Sequence, residues 1–347
     1  MSTEMTLHGA NPEKLYAAMG IPMPADVADF STNASVLPWT VPPLDLQTLV
    51  SHYPDSGCLE LRRLIAGREG LSPENVLFVN GSNEALYLLT SCLAGRRAAV
   101  LQPAYPEYAR ALSAYGVETA DIFDLEDAVR FDAVFFSNPC NPTGEYIPRQ
   151  ELRALIEGAP DVLFIVDEAY IDFLLTEDCP VPPWGAGQQG LPENLVVLRS
   201  LTKFYHLSGA RAGYVLAPES RAERLKARQP SWSVNAVAQA LALFFLRDEG
   251  FARESRDFYR REVPRFTGAL RNAGIDPRPS SVHFFLIEAE DDERVLRRLL
   301  KQGLVVRHTR NFPGLGGRYL RVATRLPEEN DRLAEALRIL RGEGFFR

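Results

Sequence analysis

Ser200-Leu201-Thr202-Lys203-Phe204-Tyr205-His206-Leu207-Ser208-Gly209-Ala210-Arg211 follows the apolar run Leu195-Val196-Val197-Leu198. Upstream, a second apolar run, Val162-Leu163-Phe164-Ile165-Val166, ends in Asp167-Glu168-Ala169-Tyr170. Both runs have the length and the branched composition of buried strands. Each delivers a chemical group at its end, a carboxylate in one case and an amine in the other. An aspartate closing a buried strand needs a cationic partner if it is to stay charged. A lysine close to such a site is suited to attack on an aldehyde, provided it is not an ordinary solvated surface lysine.

The same alternation extends in both directions. Residues 76–79, 98–102, 132–137 and 213–217 read as further strands, beside those over 162–166 and 195–199. Helices are predicted between several of them, over 84–93, 107–115 and 148–157. Strands joined by crossover helices predict an α/β core with a mostly parallel sheet. After about residue 230 the pattern turns to long helices over 236–246 and 251–273. A shorter alternation follows: strand 282–288, helix 292–302, strand 303–307, strand 319–323 and helix 328–341. The expected organisation is a large domain over 52–245, a small α+β domain over 246–347, and an N-terminal arm, 1–51, packed on the small domain. The stretch 180–192, rich in Pro, Gly and Gln, reads as a loop.

Composition narrows the function classes. The chain has 347 residues, 46% of them hydrophobic and 24% charged, the balance of an ordinary globular protein. A formal net charge of −7 argues against a nucleic-acid partner. Cys58, Cys92, Cys140 and Cys179 show no metal-like spacing, so reduced thiols in a cytoplasmic protein are expected. The first fifteen residues carry Glu4, His8 and Glu13 where a signal peptide needs an apolar core, and no stretch approaches membrane-spanning length.

Asp167 lies 36 positions before Lys203, and Arg211 lies eight after it. This constellation resembles the aspartate-aminotransferase fold family, the fold type I pyridoxal-phosphate enzymes. The resemblance implies that Lys203 forms a Schiff base with pyridoxal 5'-phosphate. Asp167 would keep the pyridine nitrogen protonated, so that the ring accepts electrons. It also implies that Ser200 and Arg211 bind the cofactor phosphate, for which the planar guanidinium supplies paired charge-assisted hydrogen bonds.

Three other motifs fit this pattern. Val79-Asn80-Gly81-Ser82-Asn83-Glu84-Ala85 follows a strand and opens a helix, whose first amides attract an anion. Taken alone it is equally an ordinary turn with a helix cap; beside Lys203, Gly81, Ser82 and Asn83 are assigned to the phosphate. Asn138-Pro139-Cys140-Asn141-Pro142-Thr143-Gly144 resembles the family loop whose asparagine, here Asn141, bonds the cofactor's phenolic oxygen. By the same resemblance Tyr105 stacks on the ring and Tyr170 touches the phenolic oxygen. Tyr53 would reach the phosphate of a neighbouring subunit, which implies a homodimer. Lys203, Asp167 and Tyr170 form the implied catalytic set.

The tail segments Val305-Val306-Arg307-His308 and Tyr319-Leu320-Arg321-Val322, together with Leu7-His8-Gly9-Ala10-Asn11 and Asp29-Phe30-Ser31-Thr32-Asn33, resemble the threonine-phosphate decarboxylase branch of that family. Those enzymes convert O-phosphothreonine to aminopropanol phosphate for the cobalamin nucleotide loop. The resemblance implies that His8, Gly9, Asn33, Asn141, Arg307 and Arg321 contact a small phosphorylated amino acid, with Arg321 as carboxylate anchor. Arg310, Arg318 and Arg325 read instead as a solvated basic face. Two departures lie near the substrate: Ala10 stands where the branch carries a second glycine, and Ala34-Ser35-Val36 replaces the usual Ile-Asn-Pro. Histidinol-phosphate aminotransferases share nearly all the cofactor residues and give the alternative activity. A non-catalytic ligand-binding scaffold is the alternative of another class.

Overall fold

The computed structural model describes residues 9–40, 42–176, 181–188 and 190–346. His8 and Cys179 lie outside them, as does part of the predicted 180–192 loop.

Twelve strands are described: β1 (Ala28–Asp29), β2 (Val76–Val79), β3 (Arg97–Leu101), β4 (Glu118–Ile122), β5 (Ala133–Ser137), β6 (Leu163–Asp167), β7 (Leu195–Ser200), β8 (Gly213–Leu216), β9 (Phe284–Glu288), β10 (Leu304–Val305), β11 (Arg307–His308) and β12 (Tyr319–Ala323). Seven of them form one sheet in the order β2-β8-β7-β6-β5-β3-β4, parallel throughout except for β8. Its central members, Ala-Val-Phe-Phe-Ser in β5 and Leu-Val-Val-Leu-Arg-Ser in β7, are buried at every position. Continuous apolar strands are what a parallel sheet covered on both faces requires. Two apolar cores flank it, one built around Phe136, Phe164 and Phe204, the other around Tyr108, Phe135 and Val196.

The six strands read from sequence in this sheet are present, with ends displaced by a residue or so. The seventh, β4, carries Glu118, Thr119 and Asp121 toward solvent as an edge strand. It buries little, so it shows no apolar run, and the sequence reading passed over it.

A third core surrounds the three-stranded sheet β11-β12-β9. Helices Glu249–Asn272, Asp292–Leu300 and Pro327–Gly342 supply Phe266, Leu296, Leu299 and Leu337 to it. The N-terminal segment joins the same core through Leu15, Tyr16, Met19 and Phe30. There β1 pairs in parallel with β10, and Tyr16 donates to the Leu300 carbonyl at 2.8 Å. The single strand expected over 303–307 is in fact two. The chain bends at Val306, leaving β10 with the N-terminal segment and β11 with β12. That bend sets Arg307 directly across from Arg321. No helix among the described residues is long and apolar enough to cross a membrane.

Candidate active site

The carboxyl ends of β5, β6 and β7 converge on one crevice, the place where open α/β sheets bind ligands. β6 ends in Asp167, its register partner Ser137 ends β5, and Ser200 ends β7. A cavity of about 120 Å³ at this edge is lined by Ser82, Asn83, Tyr105, Asp167, Ser200 and Lys203, and reaches Arg211. Ser82 is the first residue of its helix (Ser82–Ser91), so the first backbone amides of that helix, which have no intrahelical partner, lie at the cavity wall where an anion would be favoured. Gly81 is required there: its φ is +74°, and a Cβ would lie 2.6 Å from the Arg211 Nη2. Its absence lets the guanidinium lie across the start of the helix.

Asp167 is buried, and both its oxygens are occupied. Tyr108 Oη donates to Oδ2 at 2.8 Å and the Ala169 amide donates to Oδ1 at 3.0 Å. Burial pushes the carboxyl up to about 6, against the pull of the Tyr108 bond, the Ala169 amide and the Lys203 charge. An acid so poised gains most from a cation arriving at the cavity, and a protonated pyridine is such a cation. Behind it, Glu168 is buried between Arg199 at 2.7 Å and Arg149 at 3.1 Å. Trp184 covers this pair, with the Arg149 guanidinium 3.9 Å from its ring centroid.

A second compartment of about 100 Å³ shares Tyr105, Asn141, Tyr170 and Lys203 with the first. Gly9, Asn33, Arg307 and Arg321 complete it. Gly9 has no room for a side chain, since a Cβ would meet the Ser31 carbonyl oxygen at 2.6 Å. Asn33 donates from Nδ2 to Tyr170 Oη at 3.3 Å, and the ring Nε2 of buried His283 lies 3.0 Å from its carbonyl. Arg321 donates to Asn141 Oδ1 at 2.5 Å and to the Ser31 carbonyl at 2.7 Å. Arg307 contacts His308 Nε2 at 2.6 Å and Asn311 Oδ1 at 2.8 Å. Burial, and next the Arg321 charge, push the Arg307 guanidinium down to about 9, which leaves it protonated at neutral pH. Two buried polar atoms, Asn33 Oδ1 and Arg321 Nε, have no hydrogen-bond partner among the described residues. Such atoms mark a pocket shaped for a polar ligand.

Twelve of the candidate residues thus line two adjoining compartments that share Lys203: Ser82, Asn83, Tyr105, Asn141, Asp167, Tyr170, Ser200, Arg211, Gly9, Asn33, Arg307 and Arg321. Gly81 supports them from the helix start. Tyr53 lines neither compartment; it is 82% exposed, with its ring against Trp232 at 4.7 Å. The basic residues read as solvated differ among themselves. Arg318 is exposed, but Arg310 is paired with Asp291 and Asp292, and half-buried Arg325 with Glu329. Ala10 has a φ of +61°, so the departure from glycine falls where glycine is the favoured residue. Sequence reading missed Tyr108, Ser137, His283 and the Glu168 ion cluster. Tyr108 is a buried position of the helix Glu107–Ala114, three residues after Tyr105, and that spacing was the available signal.

The residues present fit pyridoxal phosphate: an amine, a buried acid, a flat tyrosine and an anion-binding helix start with an arginine across it. The description of aminotransferase class I and II matches residues 45–337. The chain belongs to that family. Its members are pyridoxal-phosphate enzymes, and the cofactor is pyridoxal 5'-phosphate. Among its relatives, the threonine-phosphate decarboxylase of Salmonella typhimurium is 33% identical, with 95% of each chain covered. Histidinol-phosphate aminotransferase 2 of Carboxydothermus hydrogenoformans is 32% identical over 84% of this chain and 83% of its own. Among solved structures, the L-threonine-O-3-phosphate decarboxylase of Porphyromonas gingivalis superposes with a TM-score of 0.77 at 27% identity. That match covers 86% of this chain and 93% of the other.

Proposed function

We propose that the enzyme decarboxylates O-phospho-L-threonine to aminopropanol phosphate, the reaction that supplies the cobalamin nucleotide loop. The observation that carries this reading is the cross-strand pair Arg307–Arg321. Like charges placed directly opposite on a sheet destabilise it, and burial deepens the penalty. Two such cations in one compartment suit a substrate with two anionic ends, and O-phosphothreonine carries a carboxylate and a phosphate. Histidinol phosphate carries only the phosphate; the oxo acid that an aminotransferase also binds has two anionic ends, so the pair favours O-phosphothreonine over histidinol phosphate and the CO₂ experiment separates the two reactions.

Arg321, steadied by Asn141 and the Ser31 carbonyl, is assigned the carboxylate. Arg307, Asn33 and His8 are assigned the phosphate end, and Gly9, packed on the Ser31 carbonyl, is assigned a contact with the same substrate. Ser82, Asn83, Ser200 and Arg211 would hold the cofactor phosphate, Tyr105 its ring face, Asp167 its nitrogen, and Asn141 and Tyr170 its phenolic oxygen. When bound, the cofactor supplies an electron-accepting ring that draws charge from the bond broken at the substrate Cα. The two arginines fix which bond that is, by setting the rotation of the substrate about Cα. Lys203, which lines both compartments, would hold the cofactor through its amine and act as the proton donor to the substrate Cα.

Exposed Tyr53 is assigned to the phosphate site of a second copy, which makes the working unit a homodimer. The experiment is incubation of the holoenzyme with O-phosphothreonine and trapping of CO₂. Stoichiometric CO₂ and aminopropanol phosphate, with no oxo acid added, are expected. Amino transfer from histidinol phosphate to 2-oxoglutarate, with no CO₂ from O-phosphothreonine, would instead identify an aminotransferase, the activity named for relatives of nearly equal identity.

A further inference from the structure

Asp167 has one side-chain hydrogen-bond donor among the described residues, and it is Tyr108. The tyrosine is 1% exposed, so its hydroxyl has no solvent to fall back on. Its position is fixed from several sides. It is the second residue of the helix that follows Tyr105, and its ring meets the Tyr105 ring edge-on at 5.7 Å. Its other side packs on Phe135 of β5 at 6.3 Å. Ser137, at the end of the strand that carries Phe135, accepts the Asn141 amide at 3.0 Å. Tyr108 therefore joins the ring-stacking tyrosine and the buried acid.

We propose that Tyr108 is a positioning residue that keeps the proton shared between Asp167 and the pyridine nitrogen on the nitrogen. The inference rests on the assignment of Asp167 to that nitrogen. A phenol donating to a carboxylate stabilises the anion, because the bond is charge-assisted and lies in a low-dielectric interior. Without that bond the carboxylate is the stronger base, and the proton moves from the ring to the acid. The ring then loses the positive charge that makes it an electron acceptor.

The other groups around Asp167 do not substitute for Tyr108. Glu168 raises the acid's proton affinity, but its charge is neutralised by Arg149 and Arg199 on the far side. Lys203 lowers that affinity through space, without a hydrogen bond to the acid. Tyr105 directs its hydroxyl toward Asn83 at 3.5 Å, and Cys140 acts on Tyr108.

The test is the ¹⁵N resonance of holoenzyme reconstituted with cofactor labelled at the pyridine nitrogen, at neutral pH. The wild-type signal is expected at the protonated position. In Tyr108→Phe the ratio of protonated to unprotonated nitrogen should fall about tenfold or more, the size of one hydrogen bond to a charged group. Replacing Tyr108 with 3-fluorotyrosine, a stronger donor that keeps the ring packing, should move the ratio the other way. An unchanged signal in Tyr108→Phe, with a clear loss in Asp167→Asn, would overturn the role of Tyr108 and leave Asp167 in place. An unchanged signal in both would overturn the Asp167 assignment, and this inference with it.

Discussion

The two compartments that meet at Lys203 are built on opposite electrostatic plans. On the seven-stranded sheet, one buried acid stands near one amine, and hydrogen-bond donors occupy both carboxylate oxygens. On the three-stranded sheet, two buried guanidiniums face each other across a strand pair; burial disfavours the charge of both, and the Arg321 charge adds to the effect on Arg307. In the function proposed here, the first arrangement would receive the cation of a ring and the second an anion at each end. A compartment with matched charges can be stable before its ligand arrives. One with unmatched charges is stabilised by the ligand itself, so its specificity and its instability have the same origin.

The contrast breaks most visibly at Arg321. Replacing it with methionine removes a charge-assisted anchor and should weaken O-phosphothreonine binding by about two orders of magnitude or more. Because the same change relieves a buried like-charge pair, the cofactor-free fold should be unchanged or more stable. Calorimetric titration and denaturant unfolding on the same protein check both halves. Simultaneous loss of stability and binding would mean that Arg321 is a structural residue.

Asp167 gives the next effect. Its carboxyl is raised from 3.8 to about 6 in the fold, so between those values the folded chain holds a proton that the unfolded chain has lost. Its contribution to stability is therefore present at low pH and lost as pH rises through that interval, by about 3 kcal/mol in the cofactor-free protein. Buried His283, pushed down to about 3 by desolvation, has the opposite slope: it lowers stability as pH falls below the ordinary histidine range. Comparing Asp167→Asn with wild type cancels the histidine term. The variant should gain on wild type as pH rises from acid to neutral, in urea unfolding without cofactor, and the gain should vanish once cofactor is bound to wild type.

The smallest effect expected is at Ala10. A left-handed φ of +61° in alanine carries strain of about 1 kcal/mol that glycine does not feel. Ala10→Gly should stabilise the docked N-terminal segment by about that amount, read as slower proteolysis near residue 10. No change would mean that the Ala10 amide bond to Ser31 Oγ at 3.0 Å already holds the segment.

The same contrast explains what the sequence discloses. The cofactor side rests on local signals: a strand ending in Asp167, a glycine where a helix begins, a lysine after a buried strand. Each is a short motif that physical chemistry reads without knowing the fold. The substrate side depends on a long-range event, the bend at Val306, which turns one expected strand into two and sets Arg307 against Arg321. Nothing in Val305-Val306-Arg307 announces which sheet each residue joins. β4 escaped notice for a different reason, being a polar edge strand with little to bury. Tyr108 and Glu168 were hidden by their neighbours, since each stands beside a residue with a more familiar role. The family glycine at position 10 was visible only as a motif. The positive φ at Ala10 gives the physical reason for it.

The division of labour between the two arginines can be measured directly by titrating the holoenzyme, its Arg307→Met variant and its Arg321→Met variant with O-phosphothreonine and with threonine. Wild type should bind the phosphorylated ligand at least about a hundredfold more tightly, as expected for a doubly charged group meeting a buried guanidinium. Arg307→Met should erase that preference, and Arg321→Met should weaken both ligands while keeping it. Equal affinity of wild type for the two ligands would contradict a substrate side built for two anionic ends.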